Sequence, residues 1–311
     1  MTAAIPMLGH TEAQQRFLKA RESGRLHHGW IINGPSGIGK SIMAERLAAL
    51  MLGASSVDAA ADDAVMQKVI SGSHPDLKWV KRELNDKGKL RQDITVDQVR
   101  SLNQFFALKP ALAGWRVGVL DALDDANISG LNALLKTLEE PPQNAILFLI
   151  SHGTKPVLPT IRSRCQLLRL NRLSDDDTKA VFKQLDINDK MAISLSNGRP
   201  GYGLSLKDSG GGKAVQSARA LLKSIHRPTP ELVAEALGAA AVDDGALAAF
   251  TDALLEWTAD QAGENPPLGE VWLALHKVRA EAIELNMTPL QTASKLLTVL
   301  QDGLKALAVQ A

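Results

Sequence analysis

"GWIINGPSGIGKSIMAERLAALML", Gly29 to Leu52, is an apolar run, then a glycine-rich turn, then an amphipathic segment. Gly29 to Asn33 reads as a buried strand, and Ser41 to Leu52 has helical periodicity. Between them, "GPSGIGKS" fits G-x-x-x-x-G-K-[ST] in the strand-to-helix context that a phosphate-binding loop needs. This makes Gly34, Pro35, Ser36, Gly37, Ile38, Gly39, Lys40 and Ser41 the candidate cofactor-binding residues. The glycines let backbone N–H groups turn inward around phosphate oxygens. Lys40 adds a point charge, Ser41 can ligate magnesium, and the helix N-terminus that follows favours an anion. The expected cofactor is ATP or ADP with magnesium. The loop alone names no reaction, because nucleotide kinases, motors and GTPases all use it.

The alternation of strand and helix continues outward. Thr95 is placed to cap a helix, with Gln98 at the capping-box position. Val96, Val99, Leu102 and Phe106 then recur at helical spacing. Trp115 to Leu120 reads as a strand, Ser129 to Glu140 as a helix stopped by Pro141-Pro142, and Ala145 to Ile150 as a fully apolar strand. The pattern predicts an α/β fold, a sheet with helices on both faces. Asp121 ends the strand Trp115 to Leu120, where it would join Ser41 as a second magnesium contact. In many P-loop ATPases the next residue is a glutamate that polarises the attacking water; here it is Ala122. Asp124 and Asp125 follow in a turn and are expected to be solvated. Ser55 to Ala64 is small and acidic and reads as a mobile surface segment.

After about Leu170 the pattern changes. Ser174 caps an amphipathic helix, and "DKMAISLSNGRPGYGLSL" reads as two short helices around a Gly-Pro turn. "DSGGGK", Asp208 to Lys213, reads as a flexible boundary. Beyond it the chain is Ala- and Leu-rich with helical spacing, which predicts an all-α bundle. The 311 residues suit two or three compact units, and 45% hydrophobic with 22% charged residues suits a globular chain. A formal net charge of +1 gives no global pull toward nucleic acid. The one cysteine, Cys165, excludes an internal disulfide and a multi-cysteine zinc cluster. The first residues lack a basic n-region and an apolar core, and no run of roughly 18 uncharged apolar residues offers a membrane span. A reducing cytoplasm is the expected compartment.

Three further stretches narrow the reading. They are "LNALLKTLEEPP" (Leu131 to Pro142), "LPTIRSRCQLLRL" (Leu158 to Leu170), and the pair "LGHTEAQQRF" and "GRLHHGWIINGPSGIGKS" near the start. Together they resemble the clamp-loader branch of the AAA+ ATPases, and within it the delta-prime subunits of bacterial DNA polymerase III. The resemblance covers Leu8 to about Leu204 well and the remainder loosely. It implies an AAA+ nucleotide-binding domain over 1–170, a helical lid over 171–207 and a helical collar over 208–311. It also implies partners: sibling clamp-loader subunits (delta, gamma or tau), a sliding clamp, and primer-template DNA through the complex. Membership of a DNA-directed DNA polymerase holoenzyme follows by association, without polymerase chemistry of its own.

The departures from a motor subunit point the same way. Ala122 stands where motors have glutamate, and alanine cannot accept a proton. In "GRPGYGL", Gly198 to Leu204, Gly201 falls at the sensor-arginine position, and Arg199 is two residues early. The resemblance gives Arg164, in "SRC", a catalytic role in trans on a neighbouring ATPase; Arg162 is the competing candidate, and Cys165 a packing residue. The family's four-cysteine zinc module has no counterpart here, so no zinc is expected, and His74 reads as a turn residue before Pro75. Two rivals remain. A gamma-like motor would need Glu139 or Glu140 as its base, and a P-loop nucleotide kinase would leave the "LEEPP" and "SRC" stretches unexplained.

Overall fold

The computed structural model describes residues 7–310 except 61, 87, 89, 92, 113, 210 and 264. The described residues form two compact units. One runs to Asn188 and includes Asn197–Gly201; the other holds Asp189–Ser196 and continues from Tyr202.

The first unit is built on five strands: β1 (Gly29–Asn33), β2 (Leu77–Lys81), β3 (Arg116–Asp121), β4 (Ala145–Ser151) and β5 (Gln166–Arg169). All are parallel, in the order β2-β3-β4-β1-β5. The central strands are near-continuous apolar runs because both of their faces are covered. Successive side chains alternate between the faces. Trp30, Ile32, Val117, Val119, Ile146 and Phe148 meet α1 (Thr11–Glu22), α2 (Lys40–Met51) and α3 (Ala64–Ile70) through Phe17, Met43, Leu47 and Met66. Ile31, Leu120, Leu147 and Leu149 meet α4 (Val96–Phe106), α5 (Ile128–Glu139) and α6 (Pro159–Arg162) through Leu102, Phe106, Leu134 and Ile161.

Local signals fix the helix ends. Thr95 and Gln98 form the expected capping box at α4. The Asn127 side chain accepts the Gly130 N–H at the start of α5, and Pro141-Pro142 follows its end. Ser174 caps α7 (Asp175–Gln184) by accepting the Asp177 N–H. The strands and helices read from the pattern match within a residue or so at each end. Missed were β2, whose "LKWVK" carries lysines and lies at the sheet edge, and β5, which is only four residues long.

The second unit is helical. It contains α8 (Lys190–Ser196), most of α9 (Pro200–Asp208), α10 (Gly211–Lys223), α11 (Pro230–Ala240), α12 (Asp244–Ala262), α13 (Leu268–Glu284) and α14 (Pro289–Gln310). Leu221, Phe250, Leu254, Leu275, Leu296 and Leu300 lie at its centre.

Two expectations of mobility are corrected. Gly211 and Gly212 are not a flexible linker: they open α10 and are buried. A Cβ at Gly211 would stand 2.8 Å from the Ala249 Cβ, and one at Gly212 2.6 Å from the Met191 Cε. Glycine here permits close helix packing. Within Ser55 to Ala64, Val57 and Ala59 are buried, and the buried Arg46 donates to the Val57 carbonyl at 3.1 Å. The acidic surface of that loop conceals an apolar underside.

Gly118, in the middle of β3, has no room for a side chain. A Cβ there would sit 2.6 Å from the Phe106 Cζ and 2.8 Å from the Leu102 Cδ1. Gly118→Ala is expected to destabilise the first unit by about 1–3 kcal/mol through overpacking. A lowered urea midpoint with an unchanged m-value would show it.

Candidate functional site

In open parallel sheets, ligands bind outside the carboxyl ends of the strands. Gly34 leaves β1 at that edge, and a side chain there would collide with the Leu170 carbonyl oxygen. Gly37 (φ 82°) and Gly39 (φ 96°) are left-handed, which glycine adopts without strain. The turn they make delivers Lys40 and Ser41 to the start of α2. Lys40 is buried, and its Nζ donates to the carbonyls of Gly34 at 2.7 Å and Pro35 at 2.6 Å. An ammonium has three donors, so one remains for an anion. Desolvation pushes the Lys40 pKa down to about 8, against the opposing pull of Asp121 and then Asp124. The Ser41 hydroxyl donates to Asp121 Oδ2 at 2.9 Å, so the two candidate metal contacts meet although 80 residues separate them.

Ala122 is buried and offers only a methyl group. The expectation that Asp124 is solvated is wrong. The 3-10 turn Leu123–Asp125 aims it inward, where it accepts from the N–H groups of His152 (2.7 Å), Thr154 (2.9 Å) and Lys155 (3.2 Å) and from the Thr154 hydroxyl (2.8 Å). Burial alone would raise its pKa; these donors outweigh that and hold it below the usual carboxylate range. Asp125 is half-buried and pairs with Arg82 at 3.2 Å, so it is not free in solvent either.

Several residues of this edge were not anticipated. His10 shares a hydrogen bond with the Ile38 carbonyl at 2.9 Å and so braces the loop. His152 follows β4, and its buried Nδ1 makes no hydrogen bond. Burial, and then the charge of Lys40, lower its pKa. Its position after an apolar strand beside β1 was the available signal. Glu45, one helical turn beyond Ser41, lines a cavity of about 510 Å³ together with Ser41, Asp121, Trp79 and Lys81. Burial raises its pKa. The Gly201 N–H donates to the Gly37 carbonyl at 2.8 Å, and a Cβ at Gly201 would lie 3.1 Å from that oxygen. Gly201, expected at the sensor-arginine position, therefore packs its backbone on the loop. Arg199 is buried.

The opposite edge of the sheet carries Arg164. It stands just before β5, and its backbone lies beside the first residue of β1: a Cβ on Gly29 would be 3.1 Å from the Arg164 carbonyl and 3.0 Å from the Cys165 Sγ. The five residues of β1 separate that point from the phosphate loop, roughly 15 Å at strand rise. Arg164 forms an ion pair with Glu139 at 3.0 Å and donates to the Thr160 carbonyl at 2.9 Å. Arg162 is exposed on the same turn. Glu139 and Glu140 end α5 at this edge, away from Ser41 and Asp121, so neither replaces the base missing at Ala122. His74 sits in the turn before β2, where its Nδ1 accepts the Asp76 N–H at 3.1 Å. Among the described residues, no three His, Cys, Asp or Glu side chains gather as a metal site.

Residues 9–174 match the family described as DNA polymerase III, delta subunit. The chain belongs to that family. DNA polymerase III subunit delta' of Pseudomonas aeruginosa is 37% identical over 155 residues, 49% of this chain and 46% of that one. Subunit delta' of Haemophilus influenzae is 28% identical over 207 residues, 64% and 60% of the two chains. The chain thus spans about half the length of the curated relatives it matches. A solved gamma subunit-related protein of Thermotoga maritima is similar at 16% identity and a TM-score of 0.46, covering 94% of this chain and 99% of its own. No helix among the described residues is long and apolar enough to cross a membrane.

Burial pushes the Cys165 thiol up to about 12. Thiolate is the reactive form, so at pH 8 the folded chain should react with a disulfide reagent at least about a hundredfold more slowly than the urea-unfolded chain. Comparable rates in the two states would show that Cys165 is not held in the fold as described.

Proposed function

We propose that this chain is the stationary clamp-loader subunit of a DNA polymerase III holoenzyme, helping to load a sliding clamp onto primed DNA during replication. The observation that carries the reading is the division of labour across one sheet. The edge with the phosphate loop lacks a water-activating carboxylate after Asp121, while the opposite edge presents an arginine too far away to serve its own loop. A head-to-tail contact between sibling subunits would bring such an edge to a neighbour's loop.

The loop residues fit a nucleotide with magnesium. Gly34 leaves the backbone open to close approach, Lys40 keeps a donor in reserve, and Ser41 and Asp121 already face each other. Gly34 to Ser41 would bind the phosphates of ATP or ADP, and Ser41 and Asp121 would hold the ion. Magnesium, when bound there, supplies charge neutralisation to the phosphates. Arg164 would act in trans, where its planar fork of donors suits phosphate oxygens. The three-part division, with nucleotide domain 1–170, lid 171–207 and collar 208–311, is proposed from the resemblance to clamp-loader subunits. So are the delta and gamma or tau partners, contact with DNA through the complex, and residence in the cytoplasm.

The purified chain should bind ATP or ADP, lose binding in Lys40→Ala, and hydrolyse almost nothing in a single-turnover assay. Rapid hydrolysis abolished by Glu45→Gln would instead make it a motor with its base on α2. In the assembled complex, Arg164→Ala should slow turnover at the neighbouring site by on the order of 10³-fold or more without impairing assembly. Unchanged turnover there would refute the trans role.

Nucleotide affinity should also depend on pH in a defined direction. A bound phosphate favours protonated Lys40, whose pKa in the free loop is about 8. Lys40 therefore contributes no pH dependence below about 8. Above it, affinity should fall by up to about tenfold per pH unit, because binding must then take up a proton. Calorimetric titrations between pH 7 and 9.5 test the sign.

A further inference from the structure

The last residue of α5 breaks a local rule. Helix C-termini carry partial negative charge and favour Lys or Arg there; α5 has Lys136 in its last turn, yet its final residue, Glu139, is a carboxylate. The cation that compensates it comes from another element. Arg164 reaches Glu139 Oε1 with one terminal nitrogen at 3.0 Å and the Thr160 carbonyl with the other at 2.9 Å; that second nitrogen also lies 3.3 Å from the Ser163 hydroxyl. The guanidinium is thus gripped by both of its terminal nitrogens while the side chain stays 36% exposed. A free surface arginine would sample many rotamers; these contacts favour one orientation and leave part of the fork open. A terminal carboxylate paired with an arginine from another element is a local departure of the kind that functional sites carry.

We propose that Glu139 is the positioning residue of Arg164, fixing the direction in which its guanidinium is presented at the subunit edge. This rests on the reading of Arg164 as a group acting in trans. Glu139 does not touch the neighbour's nucleotide; it removes orientational freedom that the arginine would otherwise lose at each turnover. The pair is half-exposed, so the effect is small beside that of the arginine itself. Exposed pairs of this kind correspond to about a one-and-a-half- to fivefold change.

The test uses the fully assembled complex and four forms of this chain: wild type, Glu139→Ala, Arg164→Ala and the double variant. Glu139→Ala should lower clamp-stimulated kcat about two- to fivefold, with KM for ATP and the elution of the assembly unchanged. It should add nothing further in the Arg164→Ala background. Glu139→Gln, which keeps an acceptor oxygen in place, should recover most of the loss. If Arg164→Ala lowers kcat but Glu139→Ala leaves it unchanged or raises it, the positioning role is refuted while the trans role stands. The same follows if Glu139→Ala lowers kcat equally in both backgrounds. If Arg164→Ala itself has no effect, the underlying reading fails and the positioning role fails with it.

Discussion

All five strands run the same way, and that polarity governs everything else in the first unit. A parallel sheet gathers every strand's carboxyl end on one edge and every amino end on the other. The first edge receives Gly34, Asp121 and Ser151; the second receives Glu139, Arg164 and Gly29. The helices that return the chain are obligatory, because parallel strands need crossovers, and they bury both faces of the sheet. Residues distant in sequence are consequently sorted to two opposite surfaces of one rigid layer.

At the carboxyl edge the balance is electrostatic. Lys40 is deprived of water and rests on two loop carbonyls, which stabilise it less well than an anion would. The loop is in this sense incomplete by itself. Asp121 is engaged by Ser41, and Asp124 is committed to the chain that follows β4. Ala122, next to Asp121, adds no carboxylate of its own, and Glu45 lines the cavity beside Ser41 and Asp121. The backbone of Gly201 closes against Gly37.

Much of this could be read from the chain. The apolar runs of β1, β3 and β4, the capping box at Thr95, the proline stop after Glu139 and the glycine-rich turn between β1 and α2 are local signals, and each came out close to its observed place. What escaped were features decided by tertiary context. β2 is polar because it lies at the edge, and β5 is too short to have a periodicity. Asp124 resembles any turn aspartate until the segment after β4, 28 residues on, brings its donors. The glycines at the start of α10 look like a linker because close packing and flexibility require the same residue. His152 and Glu45 carry no motif, and only the folded chain places them at the site. The pairing of Arg164 with Glu139 joins two stretches recognised separately, "LEEPP" and "SRC", whose contact depends on β4, the strand that lies between them in sequence, and the way it packs in the sheet.

The central claim is that one edge of this sheet accepts nucleotide while the other serves a neighbour. The most direct measurement replaces the exposed Arg162 with a benzophenone amino acid, irradiates the assembled complex, and maps the crosslinked peptide by mass spectrometry. The account predicts a crosslink to a sibling subunit beside its own phosphate loop. Crosslinks confined to this chain, or to a sibling surface remote from its phosphate loop, would contradict it.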